Sequence, residues 1–227
     1  MKKTLLVAAI AAFASTGVMA DVGLGVGVKI STLGIGLDLT HAVTDSINVR
    51  GNMNYAAYDY NTSENSIDYR AKLKLQTIGV LADWHPLNNG FRVSGGLYLN
   101  GNKATLNAKP AAGSTITMNG TTYSMDADGV NSANGEVKFD SIAPYIGLGW
   151  GNAISKDSNW GVVADLGLMY QNSPKVSLDV QCGANISGTA TCDQIQADAA
   201  AARAQLSSNI DSYKWYPVLS VGLSYRF

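Results

Sequence analysis

Histidine is all but missing from this chain: among 227 residues there are two, His41 and His85. Acid–base and nucleophilic chemistry at neutral pH leans on an imidazole beside a nucleophile or an activated water, so catalysis is poorly provided for. Cysteine is equally scarce. Cys182 and Cys192 lie close together in one polar stretch with no histidine nearby, which argues against a zinc site. Outside the cytoplasm such a pair reads as a disulfide closing a small loop. Charged residues make up only 15% of the chain and nearly cancel, to a formal −1, so nothing marks a nucleic-acid partner. Beyond the N-terminal segment no run approaches the roughly 20 apolar residues that a spanning helix needs. Asp126-Ala127-Asp128-Gly129 lacks the remaining ligand positions of a calcium loop and reads as a turn. No metal and no cofactor is expected.

What is present begins with a leader pattern. Met1-Lys2-Lys3 is basic, Leu5 to Phe13 is apolar, and Val18-Met19-Ala20 offers a small-residue cleavage site. Ser15, Thr16 and Gly17 cut the apolar run too short for a membrane anchor. Cleavage is expected after Ala20, dividing the chain into a signal peptide, 1–20, and one domain, 21–227.

The clearest pattern comes last. Trp215, Pro217, Leu219, Val221, Leu223, Tyr225 and Phe227 form one apolar row, and the residues between them, Tyr216 to Arg226, are mostly small or polar. Strand side chains alternate faces, so one face suits lipid and the other a polar interior. Seven more segments read the same way, at about 22–30, 33–41, 47–60, 68–84, 91–103, 139–151 and 160–171. The step from Ile30 to Leu33 breaks the alternation, which puts a tight turn at Ser31-Thr32 and Leu33 at the start of the second outward row. In the fourth segment Tyr69, Ala71, Leu73 and Leu75 oppose Arg70, Lys72, Lys74 and Gln76; the parity is lost after Thr77, where a bulge is expected. A mean hydropathy of only +0.03 suits a sheet with one polar face. The fold class is therefore all-β: an eight-stranded antiparallel up-and-down transmembrane β-barrel with long outer loops.

Connection lengths orient it. Short links at 44–46, 86–90 and 152–159 alternate with long ones at 61–67, 104–138 and 172–212, which puts both termini in the periplasm. Trp84, Phe91, Trp150, Trp160 and Phe227 collect at one rim and Tyr55, Tyr69, Tyr170 and Trp215 near the other, as membrane interfaces favour. Both histidines fall toward the periplasmic end, whereas barrel enzymes place their sites toward the outer leaflet. The chain is not expected to be an enzyme.

Eight strands enclose a space that side chains can fill, or a narrow tunnel at most. Strands one, two and six turn glycines inward, among them Gly25, Gly27, Gly36, Gly147 and Gly149. The candidate lumen residues are Asp38, Arg50, Arg70, Lys72, Lys74, Arg92, Asp165 and Arg226. Large basic side chains are expected to reach toward the glycine wall and to pair with Asp38 and Asp165. Two readings stay open: a structural plug of paired buried charges, or a narrow polar path whose basic excess favours anions.

The loops add two local signals. Asn119-Gly120 between alternating segments marks a hairpin. Gln194 to Leu206 is alanine-rich, with Ile195, Ala199, Ala202 and Leu206 near helical spacing. That predicts a short lid-like helix over the mouth, with a disordered loop as the alternative.

Asp140-Ser141-Ile142-Ala143-Pro144-Tyr145-Ile146-Gly147-Leu148-Gly149 and Asn159-Trp160-Gly161-Val162 resemble the CarO-type outer-membrane proteins of Gram-negative bacteria. So do Asn172-Ser173-Pro174-Lys175-Val176 and Lys214-Trp215-Tyr216-Pro217-Val218. The likeness is best over about 141–176 and the final strand. It implies an eight-stranded barrel with a proposed role in uptake of basic amino acids such as ornithine, and a link to carbapenem susceptibility. The resemblance does not extend to the cysteine pair or to the basic lumen. A lumen rich in Arg and Lys fits poorly with a cationic solute, so no substrate is carried over. Leu223, Tyr225 and Phe227 resemble the C-terminal assembly signal of outer-membrane barrels.

The leading expectation is an integral outer-membrane protein acting as a weak or gated diffusion channel for small polar solutes. The alternative is a surface-interaction or envelope-structural protein working through its outer loops. Expected partners are outer-membrane lipid and lipopolysaccharide, the barrel-assembly machinery and small polar solutes, with no nucleic acid. A monomer is expected, because eight strands close without a second copy.

Overall fold

The computed structural model describes residues 23–64, 67–110, 113–154 and 158–227. The expected signal peptide lies outside them. In chain order the strands are β1 (Leu24–Ser31), β2 (Gly34–Ala42), β3 (Ile47–Glu64), β4 (Ile67–Trp84) and β5 (Phe91–Asn100). Next come β6 (Lys103–Pro110), β7 (Thr115–Met118), β8 (Thr121–Ser124) and β9 (Val130–Lys138). The chain finishes with β10 (Ile142–Trp150), β11 (Trp160–Tyr170), β12 (Lys175–Cys182), helix α1 (Ala190–Ile210) and β13 (Trp215–Arg226).

Alternation shapes the ring. Strands β1, β2, β3, β4, β5, β10, β11 and β13 pair antiparallel in that spatial order, and β13 closes back on β1 through Val28↔Leu223 and its neighbours. On every strand one row is exposed and aliphatic, for instance Ile146 and Leu148 on β10 and Leu219, Val221 and Leu223 on β13. The other row is buried and largely polar or glycine. An apolar outside around a polar inside is stable only where lipid replaces water, so this face is a membrane belt. Trp160 stacks edge-on against Tyr225, with ring centroids 5.0 Å apart, and Tyr225 against Phe227 at 5.2 Å. These rings mark the end of the barrel where the chain terminus lies.

At the opposite end, part of the wall keeps rising. β6 continues β5 in one unbroken register on β4, from Thr77↔Asn100 to Lys74↔Lys103. β9 and β10 likewise share one register, Lys103↔Lys138 leading to Ile142↔Leu99. With β12 on β9, the sheet β3-β4-β6-β9-β12 stands above the rim as a tall half-wall. Its inward face is largely apolar and is covered in part by the β7–β8 hairpin and α1; Tyr58, Tyr60, Leu73 and Leu106 stay exposed on it. Met118, Met125, Val130, Ala133, Val180, Ile195 and Ala199 form that separate core. Asn119 and Gly120 turn the hairpin with φ of 49° and 82°, the left-handed pair a tight two-residue turn requires. The helix is present and longer than the expected 194–206, with Ile195 and Ala199 buried and Ala202 against the same core.

Two expectations need correcting. β4 has no bulge after Thr77; it matches β3 rung for rung from Ile47↔Trp84 to Glu64↔Ile67. Leu75, Thr77, Gly79, Leu81 and Asp83 therefore face inward, and Arg70, Lys72 and Lys74 stand on the outward face above the rim. The misleading signal has a physical cause: Tyr69, Ala71 and Leu73 are apolar because they face the lid, not lipid. Leu33 also differs. The β1–β2 turn falls at Thr32-Leu33, Gly34 takes φ +106°, and Leu33 folds into the mouth, 1% exposed.

Candidate functional site

The bore is the place where this sequence spends its buried charge, and it is closed by two layers of side chains. The layer nearer the termini is ionic. Arg50 on β3 reaches across to β11, where Nη1 donates to Asp165 Oδ2 at 3.1 Å and Nη2 to Asp165 Oδ1 at 3.3 Å. Its Nε pairs with Asp83 Oδ2 at 2.9 Å, and Nη2 donates to Asp83 Oδ1 at 3.0 Å. Asp38 lies 3.6 Å from Arg50 Nη1 and is itself held by Lys29 Nζ at 2.8 Å. Arg92 Nη2 donates to Asp165 Oδ1 at 2.7 Å and its Nη1 to the Gly151 carbonyl. Ser94 and Ser220 hydroxyls complete the carboxylates of Asp83 and Asp165 at 2.5 and 3.0 Å.

Three basic and three acidic side chains thus neutralise one another, all of them buried. A buried charge persists only where such partners satisfy it. The inward glycines supply the room: a Cβ on Gly149 would sit 2.6 Å from Arg92 Nε, and one on Gly36 would sit 2.9 Å from Lys29 Cε. Arg92 fills the space left at Gly149, and Lys29, on the glycine wall itself, fills the space left at Gly36.

Nearer the loops the bore is first amide and hydroxyl, then apolar. Asn52 Nδ2 donates to Tyr98 Oη at 3.1 Å, and Asn54 Nδ2 to Thr77 Oγ1 at 3.0 Å. Tyr98 meets Tyr145 edge to face, centroids 5.5 Å apart, within a core of Leu33, Leu81, Ala143, Met169 and Val218. The space lined by Asp38, Arg50, Asp83 and His85 is about 10 Å³, the allowance of a single water. His85 lies in the turn below, its imidazole held under the ordinary histidine value first by burial and then by Arg92.

Of the expected lumen residues, Asp38, Arg50, Arg92 and Asp165 come together in this cluster. Arg226 stands half-buried on the inward row at the terminal rim, its backbone paired with Asn159. Arg70, Lys72 and Lys74 do not join them. Sequence reasoning missed Lys29 and Asp83. Lys29 shares the inward row of Gly25 and Gly27, so alternation alone could have found it. Asp83 lies beyond Thr77, where the alternation gives no clear parity. With Asp83 in and the three β4 bases out, three acids match three bases in the ionic layer, and the basic excess expected there is gone, with its preference for anions. Cys182 and Cys192 are joined as expected, with Cα atoms 5.8 Å apart, tying the end of β12 to the first turn of α1. Among the described residues no group of three or more His, Cys, Asp or Glu is arranged to hold a metal.

A closed eight-stranded antiparallel barrel with an aliphatic belt and an ion-paired interior is an integral outer-membrane barrel. No protein-family model and no curated protein matches the chain. Among solved structures it is similar to CarO2 of Acinetobacter baumannii, with a TM-score of 0.55 and 27% identity over 90% of this chain and 98% of that one. It is also similar to CarO of the same species, with a TM-score of 0.54 and 25% identity over 89% and 97% of the two chains. The CarO-type resemblance carried by the 140–149 and 214–218 motifs is thus borne out in three dimensions.

Proposed function

We propose that this protein is a resting-closed outer-membrane barrel that works through its tall outer wall and disulfide-tied lid, with both termini in the periplasm. The observation that carries this reading is the filled bore. An ionic layer and an apolar layer lie in series, and the space beside the ions is about 10 Å³. A hydrated solute cannot pass without displacing paired charges, which are costly to separate in a low-dielectric interior. The alternation of short and long connections supports the orientation, since outer-membrane barrels keep short turns on the periplasmic side. Leu223, Tyr225 and Phe227, outward or at the rim on the last strand, support recognition by the barrel-assembly machinery. A ring that closes on itself supports a monomer.

The test is electrical. Pure, folded wild-type protein in planar bilayers should give no single-channel steps at low voltage. Reproducible steps under those conditions would overturn the reading.

A second reading, a gated path for small polar solutes, is favoured by one feature. The plug consists of wall side chains and the inturned Leu33, not of an inserted domain, so rotamer changes alone could open it. It requires voltage- or ligand-dependent steps that change in Arg50→Ala and Arg92→Ala.

A further inference from the structure

On the outward face of the tall wall, four lysines from four strands stand in one cross-strand row. Lys74 on β4 opposes Lys103 on β6, Lys103 opposes Lys138 on β9, and Lys138 opposes Lys175 on β12. At the usual strand spacing the row spans roughly 14 Å. Like charges placed directly opposite one another across a sheet are destabilising, so a run of four is not explained by folding. Nearby acids cover it only in part. Glu136 serves both Lys103, at 3.3 Å, and Lys138, at 3.9 Å, and Asp140 takes Lys175 at 2.6 Å. Lys74 has no ion pair among the described residues. One rung higher Lys72 is matched by Asp59 at 3.4 Å, and beyond it stand an exposed Arg70 and, across the sheet, Asp179.

The place of the row is as informative as its charge. Below it on the same face, past a polar rung of Gln76, Gly101 and Asp140, is another cross-strand row, Ile78–Leu99–Ile142, exposed and aliphatic, the last rung of the lipid belt. Lys74, Lys103 and Lys138 each lie four residues beyond the aliphatic residue of their own wall strand, about 13 Å along it. With the strands tilted by about 40°, the row stands about 10 Å beyond the edge of the aliphatic belt, at head-group height. Other apolar positions at this height face the lid instead, so the wall divides its surfaces by chemistry: lid inside, charge outside.

We propose that the Lys74–Lys103–Lys138–Lys175 row docks the phosphate groups of the phosphorylated glycolipid that surrounds the barrel in the outer leaflet. The inference rests on the outward orientation of the loops given above. Phosphate oxygens would accept charge-assisted hydrogen bonds from several ammonium groups at once and relieve the repulsion along the row. Lys103, Lys138 and Lys175 are exposed and Lys74 is half-buried, and all four extend from one hydrogen-bonded sheet, so no change of fold is needed to meet a head group.

The experiment uses the full folded protein in detergent and fluorescent lipopolysaccharide. Wild type should bind it, with affinity falling as salt rises. The quadruple variant K74Q/K103Q/K138Q/K175Q should lose at least tenfold, while the matching arginine quadruple keeps binding. Enzymatically dephosphorylated lipopolysaccharide should bind wild type and variant alike. Inorganic phosphate at millimolar concentration should not displace the lipid; full displacement would instead indicate a site for free anions and overturn the assignment. Unchanged binding by a glutamine variant that retains its β-sheet circular dichroism would overturn it as well. Labelling of Asn119→Cys on intact cells reads orientation separately, so failure of the topology and failure of the docking row give different results.

Discussion

Arg50 and Asp165 meet across the full width of the bore, from β3 and β11, which stand opposite one another in the ring. The guanidinium fork meets the carboxylate with two parallel bonds, a geometry lysine cannot reproduce. The same Arg50 also holds Asp83 on β4 and approaches Asp38 on β2. With a further bond from Nη2 to Ser94 Oγ on β5 at 3.4 Å, one side chain ties five of the eight strands together, and the bore is closed by the same contacts that brace it.

Replacing Arg50 by alanine leaves Asp83 and Asp165 buried with too few partners. Removing one member of a buried pair typically costs about 3–5 kcal/mol. Urea unfolding in micelles, followed by tryptophan fluorescence, should show Arg50→Ala destabilised by about that much, with Arg50→Lys between it and wild type. An alanine variant as stable as wild type would mean that the other ion pairs suffice.

The glycine wall makes an independent prediction. A Cβ at Gly149 would meet Arg92 Nε at 2.6 Å, Asp165 Oδ1 at 2.8 Å and the Ala164 carbonyl at 3.0 Å. Gly149→Val should therefore lose about 1–3 kcal/mol in the same unfolding assay, as overpacked cores do. Gly51 faces outward, its added Cβ meeting only the Leu39 carbonyl at 4.0 Å. Gly51→Ala should stay within about 0.5 kcal/mol of wild type.

Alternation made the ring legible before any coordinates, because a barrel in lipid imposes one apolar row on every strand. Strand ends and orientation of the inward row followed wherever that rule held without interruption, as on β10, β11 and β13. It misled where apolar residues serve another purpose. Tyr69, Ala71 and Leu73 face the lid side of the tall wall, with Tyr69 packed against the lid core, and Leu33 plugs a mouth, yet in sequence both look like lipid contacts. The ionic cluster was half legible for the same reason: Asp38, Arg50, Arg92 and Asp165 sit on undisturbed strands, while Asp83 lies past the point where parity was lost. Nothing in the one-dimensional pattern could reveal the lysine row, since its members are separated in sequence and meet only through strand register.

The disulfide should act on the lid alone. The core beneath α1 and the core of the bore share no residue, so the lid can open as a unit of its own. Closing a loop of this size is worth about 2–3 kcal/mol. In Cys182→Ser/Cys192→Ser, amide hydrogen exchange in α1 should accelerate by one to two orders of magnitude, about the factor those energies imply. Exchange in β10, β11 and β13 should not change. Equal acceleration in the barrel strands would show that lid and barrel unfold together.

A second tie holds the lid, and it is sensitive to acid. Asp198 on α1 accepts hydrogen bonds from Asn119 Nδ2 at 3.0 Å and from the Tyr123 hydroxyl, joining the helix to the β7–β8 hairpin. Those bonds, Tyr123 first, hold the Asp198 carboxyl below the ordinary aspartate value, and the same bond raises the Tyr123 phenol. A lowered value in the latched lid means that the unlatched lid binds more protons, so the tie weakens as pH falls. It is at full strength above about pH 4, the free aspartate value, and is lost as pH drops through the lower latched one. Limited proteolysis between α1 and the hairpin should be flat from about pH 8 to about 5 and should rise below about 4. Asp198→Asn should be cleaved faster than wild type at neutral pH and show no acid step. An acid step that persists in Asp198→Asn would assign the sensitivity to another carboxylate of the lid.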